Sequence, residues 1–531
     1  MTSLERPNHS HGGSDAVTTD VRRGMVGMAV CLAALGSSAA APGQEAFAIR
    51  VCDAATGRGV PLVELRTTAG HQFYTDSAGY VAVDEPELLG RSVFFHVASH
   101  GYEFPADGFG YRGRRLDVTP GGEATLEIRR INVDERLSGV TGAGIYAESV
   151  RLGKPTPLSE PLLAGGVAGQ DSVQACVLGE QILWFWGDTN RLGYPLGQFR
   201  TSAATSRLPS AGGLDPATGV DLEYIVDEAG FSRPVFDLGA PGVVWLDGLC
   251  VVNDAAGKPR VLGHYSRREG LSKQLSHGIA EFDPALGKFE VRLELDEDEF
   301  RHPQGQACSG PADGGVDYLW FATPYPALRV PAAYESVLDP EQYESYTPLS
   351  RGTREATDES RPERDGAGNI IYAWKPGTKP LSGEEEQRLI ERGGLPREAA
   401  RWQTVDAATG RRVRLHSGSV RWNRWRGRWV LIAVEVYGKP SFLGEVWYAE
   451  AARPEGPWGK CARIVTHDRY SFYNPVQHSF FDEDGGRAIY FEGTYTHTFA
   501  GAGVWPTPRY DYNQIMYRLD LGHPGLAGAQ R

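Results

Sequence analysis

Cysteine is scarce in this chain: there are six in 531 residues, and no two stand in C-x-x-C spacing. That argues against a zinc knuckle or a disulfide-built scaffold. Cys52, Cys176, Cys250, Cys308 and Cys461 lie mostly in apolar runs such as Ala175-Cys176-Val177, where a thiol behaves as a small buried hydrophobe. One disulfide among them would leave its pairing open. Positive charge is also short, with 54 Lys and Arg against 67 Asp and Glu and a net charge of −13. Neutralising phosphates takes clustered Lys and Arg, so a nucleic-acid partner and an anionic membrane surface are both disfavoured. No apolar run approaches 18 residues, and the sequence predicts no membrane insertion once its N-terminal segment is removed.

That segment reads as an address. Arg22-Arg23 precede an apolar run from Gly24 to Gly36, and small residues follow up to Ala39-Ala40-Ala41-Pro42. A basic stretch, a short apolar stretch and an A-x-A-like site describe a secretory signal peptide over residues 1–41, with export to the periplasm or the exterior. A twin-arginine reading of Arg22-Arg23 finds little support in Val21 and Gly24. A buried apolar helix is the competing reading.

What the chain has in excess is turn and ring residues: Gly 66, Pro 34, Tyr 23, Phe 20 and Trp 12. Many tight turns between aromatic-rich segments predict an all-β protein, and the length suits two or three domains. Residues 46–132 show short alternating strands such as Ala46-Phe47-Ala48-Ile49-Arg50-Val51 and Ser92-Val93-Phe94-Phe95-His96-Val97. This pattern predicts a small antiparallel β-sandwich. Its turns, Asp53-Ala54-Ala55-Thr56-Gly57, Thr75-Asp76-Ser77-Ala78-Gly79-Tyr80 and His100-Gly101-Tyr102, resemble those of the carboxypeptidase-regulatory-like (transthyretin-like) domain. The resemblance implies an accessory module or spacer. Asp53 and Asp76 are expected to cap turns.

Residues 140–523 repeat a turn followed by a very apolar strand. The instances are Gln181-Ile182-Leu183-Trp184-Phe185-Trp186-Gly187-Asp188, Arg260-Val261-Leu262-Gly263-His264-Tyr265, Asp317-Tyr318-Leu319-Trp320-Phe321, Trp429-Val430-Leu431-Ile432-Ala433-Val434-Glu435 and Ala488-Ile489-Tyr490-Phe491-Glu492. Before each lies a strand that opens on polar groups: Gln170-Asp171-Ser172, Asp247-Gly248, Gln304-Gly305-Gln306, His416-Ser417-Gly418-Ser419 and Asn474-Pro475-Val476-Gln477-His478. Five copies predict a five-bladed β-propeller, with two stacked sandwiches as the alternative. Residues 326–415 read as an insertion, either a binding wall or a surface excursion, holding one helix from Ser382 to Arg392. Residues 524–531 form a tail.

The polar strand starts and acidic strand ends would converge on one funnel. Crowded, buried carboxylates have raised pKa values, and glycosidic hydrolysis needs one protonated acid beside one ionised carboxylate. Asp171, Asp188, Glu435 and Glu492 are therefore the candidate catalytic groups. Tyr325 and Tyr473 are candidates to stack on sugar faces, and Gln304, Gln306, Asn474 and His478 to bond hydroxyls. Trp184, Trp186, Trp320 and Trp429 read as packing between blades.

Gly169-Gln170-Asp171 and, further on, Gly187-Asp188-Thr189 resemble the first blade of five-bladed propeller glycoside hydrolases, above all the family associated with endo-D-arabinanases. Arabinanases, β-xylosidases and invertases are more distantly similar. The resemblance implies an oligosaccharide or polysaccharide substrate, in which arabinofuranose is a candidate sugar, and inversion at the anomeric carbon. It makes Asp171 the base, Asp188 an orienting carboxylate or itself the base, and Glu435 or Glu492 the acid. No cofactor is required. Calcium occupies the central channel in some relatives, and His302, His416 and His478 are the residues that would approach it here. Two other readings stay open: a non-catalytic glycan-binding or scaffold propeller, and a glycoside phosphorylase, which would need a basic pocket beside the acids.

Overall fold

A computed structural model describes residues 45–357 and 359–530. The expected signal peptide, with Cys31, lies outside the described residues. The chain is all-β, as the turn and aromatic excess predicts.

Residues 47–130 form two four-stranded sheets. One runs Tyr80–Val83, Phe47–Asp53, Glu123–Arg130, Tyr102–Glu103, and the other Gln72–Tyr74, Glu64–Thr67, Arg91–Ala98, Gly113–Val118. Alternate residues of both, including Ile49, Val51, Leu65, Val81, Phe95, Val118 and Leu126, pack into one core. The expected antiparallel pairing fails in one place, because Phe47–Asp53 lies parallel to Glu123–Arg130. A parallel pair needs a long crossover, and the strands between these two supply it. Asp53 and Asp76 cap their turns as expected: Asp53 Oδ1 accepts from the Ala55 N–H at 2.8 Å, and Asp76 Oδ1 from Ala78 and Tyr80 at 3.0 and 3.1 Å.

Five further sheets of four or five strands follow, each built outward from an inner strand, beside a two-stranded pair of Val167–Gln170 and Thr189–Arg191. The inner strands are Gln174–Leu178, Val243–Asn253, Gln306–Cys308, Leu415–Asn423 and Ser471–Gln477. The five very apolar repeats are the second strands: Gln181–Trp186, Pro259–Glu269, Tyr318–Ala322, Arg428–Glu435 and Ala488–Thr496. Inner strands of successive sheets adjoin one another. The fifth returns to the first through Gln514 Nε2 on the Gln170 carbonyl at 3.2 Å and the Ser172 N–H on Thr494 Oγ1 at 3.1 Å. Glu135–Gly139, which precedes all five sheets in sequence, pairs antiparallel with Asn513–Asp520 and completes the fifth. The segment before the first of these sheets and the last strand of the fifth thus lock together.

The tryptophans pack as the sequence suggests. Trp184, Trp186 and Trp320 are fully buried, and Trp320 meets Trp429 of the next sheet at a ring-centroid distance of 5.2 Å. Removing such a side chain would cost about 3–5 kcal/mol. The five described thiols are buried and unpaired. The segment 326–415 supplies three strands of the third sheet, Pro326–Pro331, Glu344–Thr347 and Ala373–Pro376. Its helix spans Gly383–Glu391, with Ser382 and Glu385 forming a reciprocal capping box. In the tail, Leu526 and Ala529 are buried in the core beneath the fifth sheet.

Candidate functional site

The inner strands and the loops after the second strands enclose a cavity of about 780 Å³. This is large for a ligand site, within the roughly 300–1,000 Å³ such sites occupy. Asp171, Asp188, Gln304, Gln306, Tyr473 and Asn474 line it, together with Asp247, Trp245, Arg268 and Tyr512.

Asp171 and Asp188 are joined through their backbones. The Asp188 N–H donates to Asp171 Oδ1 at 3.0 Å, and the Gly187 N–H to the Asp171 carbonyl at 3.0 Å. Glycine is needed at both motif positions by close approach: a Cβ at Gly187 would lie 2.8 Å from Asp171 Oδ1, and one at Gly169 would lie 2.8 Å from the Tyr512 carbonyl. The Tyr473 hydroxyl donates to Asp171 Oδ2 at 2.7 Å, and the Tyr512 phenol reaches the same carboxylate. Ser172, Asn474 and Tyr512, all non-glycine, hold left-handed φ values of 56°, 48° and 60° around this acid. Each such conformation costs roughly 1–3 kcal/mol and persists only where the surroundings enforce it.

Burial pushes the Asp171 pKa up against these hydrogen bonds. Asp188 is pushed up to about 7, first by burial and then by the charge of Asp171, with only a long 3.4 Å bond from Trp245 Nε1 opposing the shift. Both carboxyl groups are thus held above the usual carboxylate range, and Asp188, which has fewer donors and the charge of Asp171 beside it, is the one pushed further. Asp247, on the inner strand of the second sheet, is pushed up to about 6 by burial while accepting from the Gly305 N–H at 2.8 Å. Asp247 was absent from the residues expected to act, although Asp247-Gly248 opens its strand just as Gln170-Asp171-Ser172 precedes the first. Repeat equivalence was therefore a usable signal for it.

Four expected site residues stand away from the cavity. Tyr325 is in the core between Trp402 and Trp458, its hydroxyl bonded to Thr404. His478 donates to or accepts from Glu492 Oε1 at 2.7 Å and packs edge-on to Trp184. Glu492 lies in mid-strand, because that strand runs on to Thr496 rather than ending at the acid. Glu435 does end its strand, but period-two alternation turns Val436 into the cavity and Glu435 away from it. There Arg411 grips both its oxygens, and Trp447 Nε1 donates to it at 3.0 Å.

Within the cavity the amides are largely engaged. Asn474 Nδ2 donates to Ser172 Oγ at 2.9 Å while its Oδ1 accepts from Ser417 Oγ at 2.8 Å, knitting two inner strands to the turn that leads into a third. Gln306 donates to the Val173 carbonyl at 3.0 Å. Gln304 is exposed. Trp245, Phe442, Tyr473 and Phe499 give the walls apolar ring surface. Among the described residues none between 326 and 415 lines the cavity, and the segment is neither a binding wall nor a surface excursion: it builds three strands of the third sheet and a small core of its own around Leu349, Leu381, Leu389 and Leu395. His302 bonds the Tyr265 carbonyl, apart from His478, and among the described residues no group of three or more His, Cys, Asp and Glu is placed to hold a metal ion.

No family model matches the sequence, and no curated protein matches it. Several solved structures are similar to this chain. A structure of RS223 β-xylosidase shares 11% identity over 67% of this chain and 93% of that one, with a TM-score of 0.36. An exo-1,5-α-L-arabinanase from a bovine ruminal metagenomic library shares 9% over 67% and 94%, at 0.33. An exo-β-1,3-galactanase from Clostridium thermocellum shares 11% over 72% and 62%, at 0.34.

Proposed function

We propose that this chain is an exported glycoside hydrolase whose five sheets are the blades of a β-propeller and whose two N-terminal sheets form a carboxypeptidase-regulatory-like sandwich. One observation carries the reading: a backbone-tethered aspartate pair, Asp171 and Asp188, lines a cavity walled by aromatic rings, where burial and the charge of Asp171 push Asp188 up to about 7. Hydrolysis of a glycosidic bond needs a division between a protonated and an ionised carboxyl group. Asp188 is the proton donor to the leaving oxygen. Asp171, whose carboxylate accepts from Tyr473 and the Asp188 N–H, is the base that takes a proton from the attacking water. Asp247 faces the same cavity and adds a second carboxylate that can assist from the neighbouring sheet.

The resemblance of the Gly169–Asp171 and Gly187–Thr189 segments supports an arabinofuranose-containing substrate. Among the described residues Arg268 is the one Lys or Arg that lines the cavity, which disfavours phosphorolysis. The test is digestion of a polysaccharide panel by wild type, Asp171→Asn and Asp188→Asn, with the anomer of the first product followed by NMR. Loss of product with retained sugar binding in both variants supports the enzyme. Equal product from all three would leave a glycan-binding propeller, and the anomer of the first product separates inversion from retention.

A further inference from the structure

The N-terminal two-sheet unit is not tethered as a spacer would be. Its turn at Asp76 accepts the Ser149 N–H on Oδ2 at 2.6 Å, and its Ser77 Oγ takes the Gly139 N–H at 3.1 Å. Arg58 reaches the carbonyls of Arg136, Leu137 and Ala217. Most telling is where it meets the loop 507–513. The Tyr510 hydroxyl donates to the Thr75 carbonyl at 2.6 Å. Glu148 accepts the Ala82 N–H at 2.9 Å with one oxygen and pairs with Arg509 through the other. Arg509 and Tyr512 both hold left-handed φ values, 67° and 60°.

The far side of the same loop is the active pair. The Tyr512 carbonyl accepts the Gln170 N–H at 2.8 Å, and its phenol meets Asp171. Asn513, which ends the loop, donates to the carbonyls of Ala168 and Arg509 and accepts from Thr141 Oγ1 at 3.0 Å. A strained seven-residue loop thus has the two-sheet unit on one flank and the Asp171 carboxylate on the other. Strained backbone needs external contacts to hold it, and those contacts come in part from the N-terminal unit.

We propose that the N-terminal two-sheet unit is part of the catalytic apparatus: by holding Tyr510 directly and Arg509 through Glu148, which accepts from Ala82, it sets the loop that places the Tyr512 phenol against Asp171. Tyr510 and Arg509 are positioning residues. The proposal rests on the glycosidase reading for its consequence in catalysis, but its structural half can be measured without substrate. A phenol donating to a carboxylate favours the ionised form, so a misplaced Tyr512 leaves Asp171 harder to ionise.

The test follows the Asp171 carboxyl in full-length protein labelled with [4-13C]aspartate, its resonance identified by Asp171→Asn. Tyr512→Phe is expected to raise the titration midpoint of Asp171 by on the order of one pH unit. Tyr510→Phe, which keeps the buried ring and touches no carboxylate, is expected to raise it by roughly half as much. Arg509→Gln cuts the loop's other tie and serves as the second variant if Tyr510→Phe folds poorly. Arg58→Gln loosens the unit at a contact that does not reach the loop, and should lower the melting temperature while leaving the Asp171 midpoint unchanged. In turnover, Tyr510→Phe should lower kcat with KM within about twofold and move the acidic limb of the pH profile upward. An unchanged midpoint in both loop variants, or an equal shift in Arg58→Gln, overturns the proposal. A shifted midpoint in an Asp171-dependent titration, with hydrolysis untouched by Asp171→Asn, upholds the positioning and refutes the glycosidase reading instead.

Discussion

Asp188 and Glu435 stand at corresponding ends of second strands in two sheets, yet their surroundings differ in kind. Asp188 has one long bond from Trp245 and the charge of Asp171 beside it, which leaves a carboxyl that holds its proton to about pH 7 and faces a cavity. Glu435 has a guanidinium across both oxygens and an indole N–H, and its side chain is 2% exposed. The repeat sets where an acid sits along the strand; the partner across the sheet decides whether it is free to exchange a proton.

The sharpest way to break this contrast is kinetic. Asp188→Asn keeps size and shape but removes the proton, and should lower kcat by roughly 10²–10⁴, the usual worth of a general acid. Glu435→Gln should leave kcat within about threefold, as Glu435 reaches no cavity wall. Equal losses in the two variants, measured on one oligosaccharide with folding checked by circular dichroism, would erase the distinction.

Stability should separate them in the opposite sense. Arg411→Ala leaves the Glu435 carboxylate buried without its cation. Breaking a fully buried pair costs about 3–5 kcal/mol, and with Arg411 itself 40% exposed we expect about 2 kcal/mol, read by urea unfolding. Asp188 carries the reverse signature. Its folded pKa of about 7 lies above the unfolded value of roughly 3.9, so the folded state binds the extra proton and stability falls as pH rises from about 4 to 7. Asp188→Asn should therefore be more stable than wild type at pH 8, by about 1 kcal/mol after allowance for partial exposure, and no more stable at pH 3. A gain that persisted at pH 3 would point to packing rather than titration.

Much of this was legible in the sequence, and the gaps share a cause. The second strands, the buried tryptophans and the capped helix at Ser382 follow from local pattern and turn chemistry. Asp171 and Asp188 come together because the glycines at 169 and 187 permit close approach within one short stretch. What escaped depends on distant residues. Nothing near Glu435 announces Arg411, and nothing near Glu492 shows that its strand continues four residues past it and that His478 waits opposite. Glu135–Gly139 finds its partner in Asn513–Asp520, almost at the other end of the chain. The third sheet hid strands in a segment whose polar composition reads as a surface excursion. Tyr512, which reaches Asp171 from the far end of the chain, is a residue that local periodicity cannot assign.

The smallest expected effect tests the Asp188 assignment most directly. Trp245 Nε1 lies 3.4 Å from Asp188 Oδ1, and this bond, though long, favours the ionised carboxylate. Trp245→Phe removes the donor while keeping ring surface on the cavity wall, so the Asp188 pKa should rise by about 0.3 unit. If Asp188 is the group that must be protonated, the basic limb of kcat, near pH 7 in wild type, should move upward by the same amount. The sign decides the assignment, because the same rise would push an acidic limb upward only if Asp188 had to be ionised. A basic limb that stays fixed while the acidic limb rises would transfer the proton donor's role from Asp188 to another cavity carboxylate, with Asp247 the first to examine.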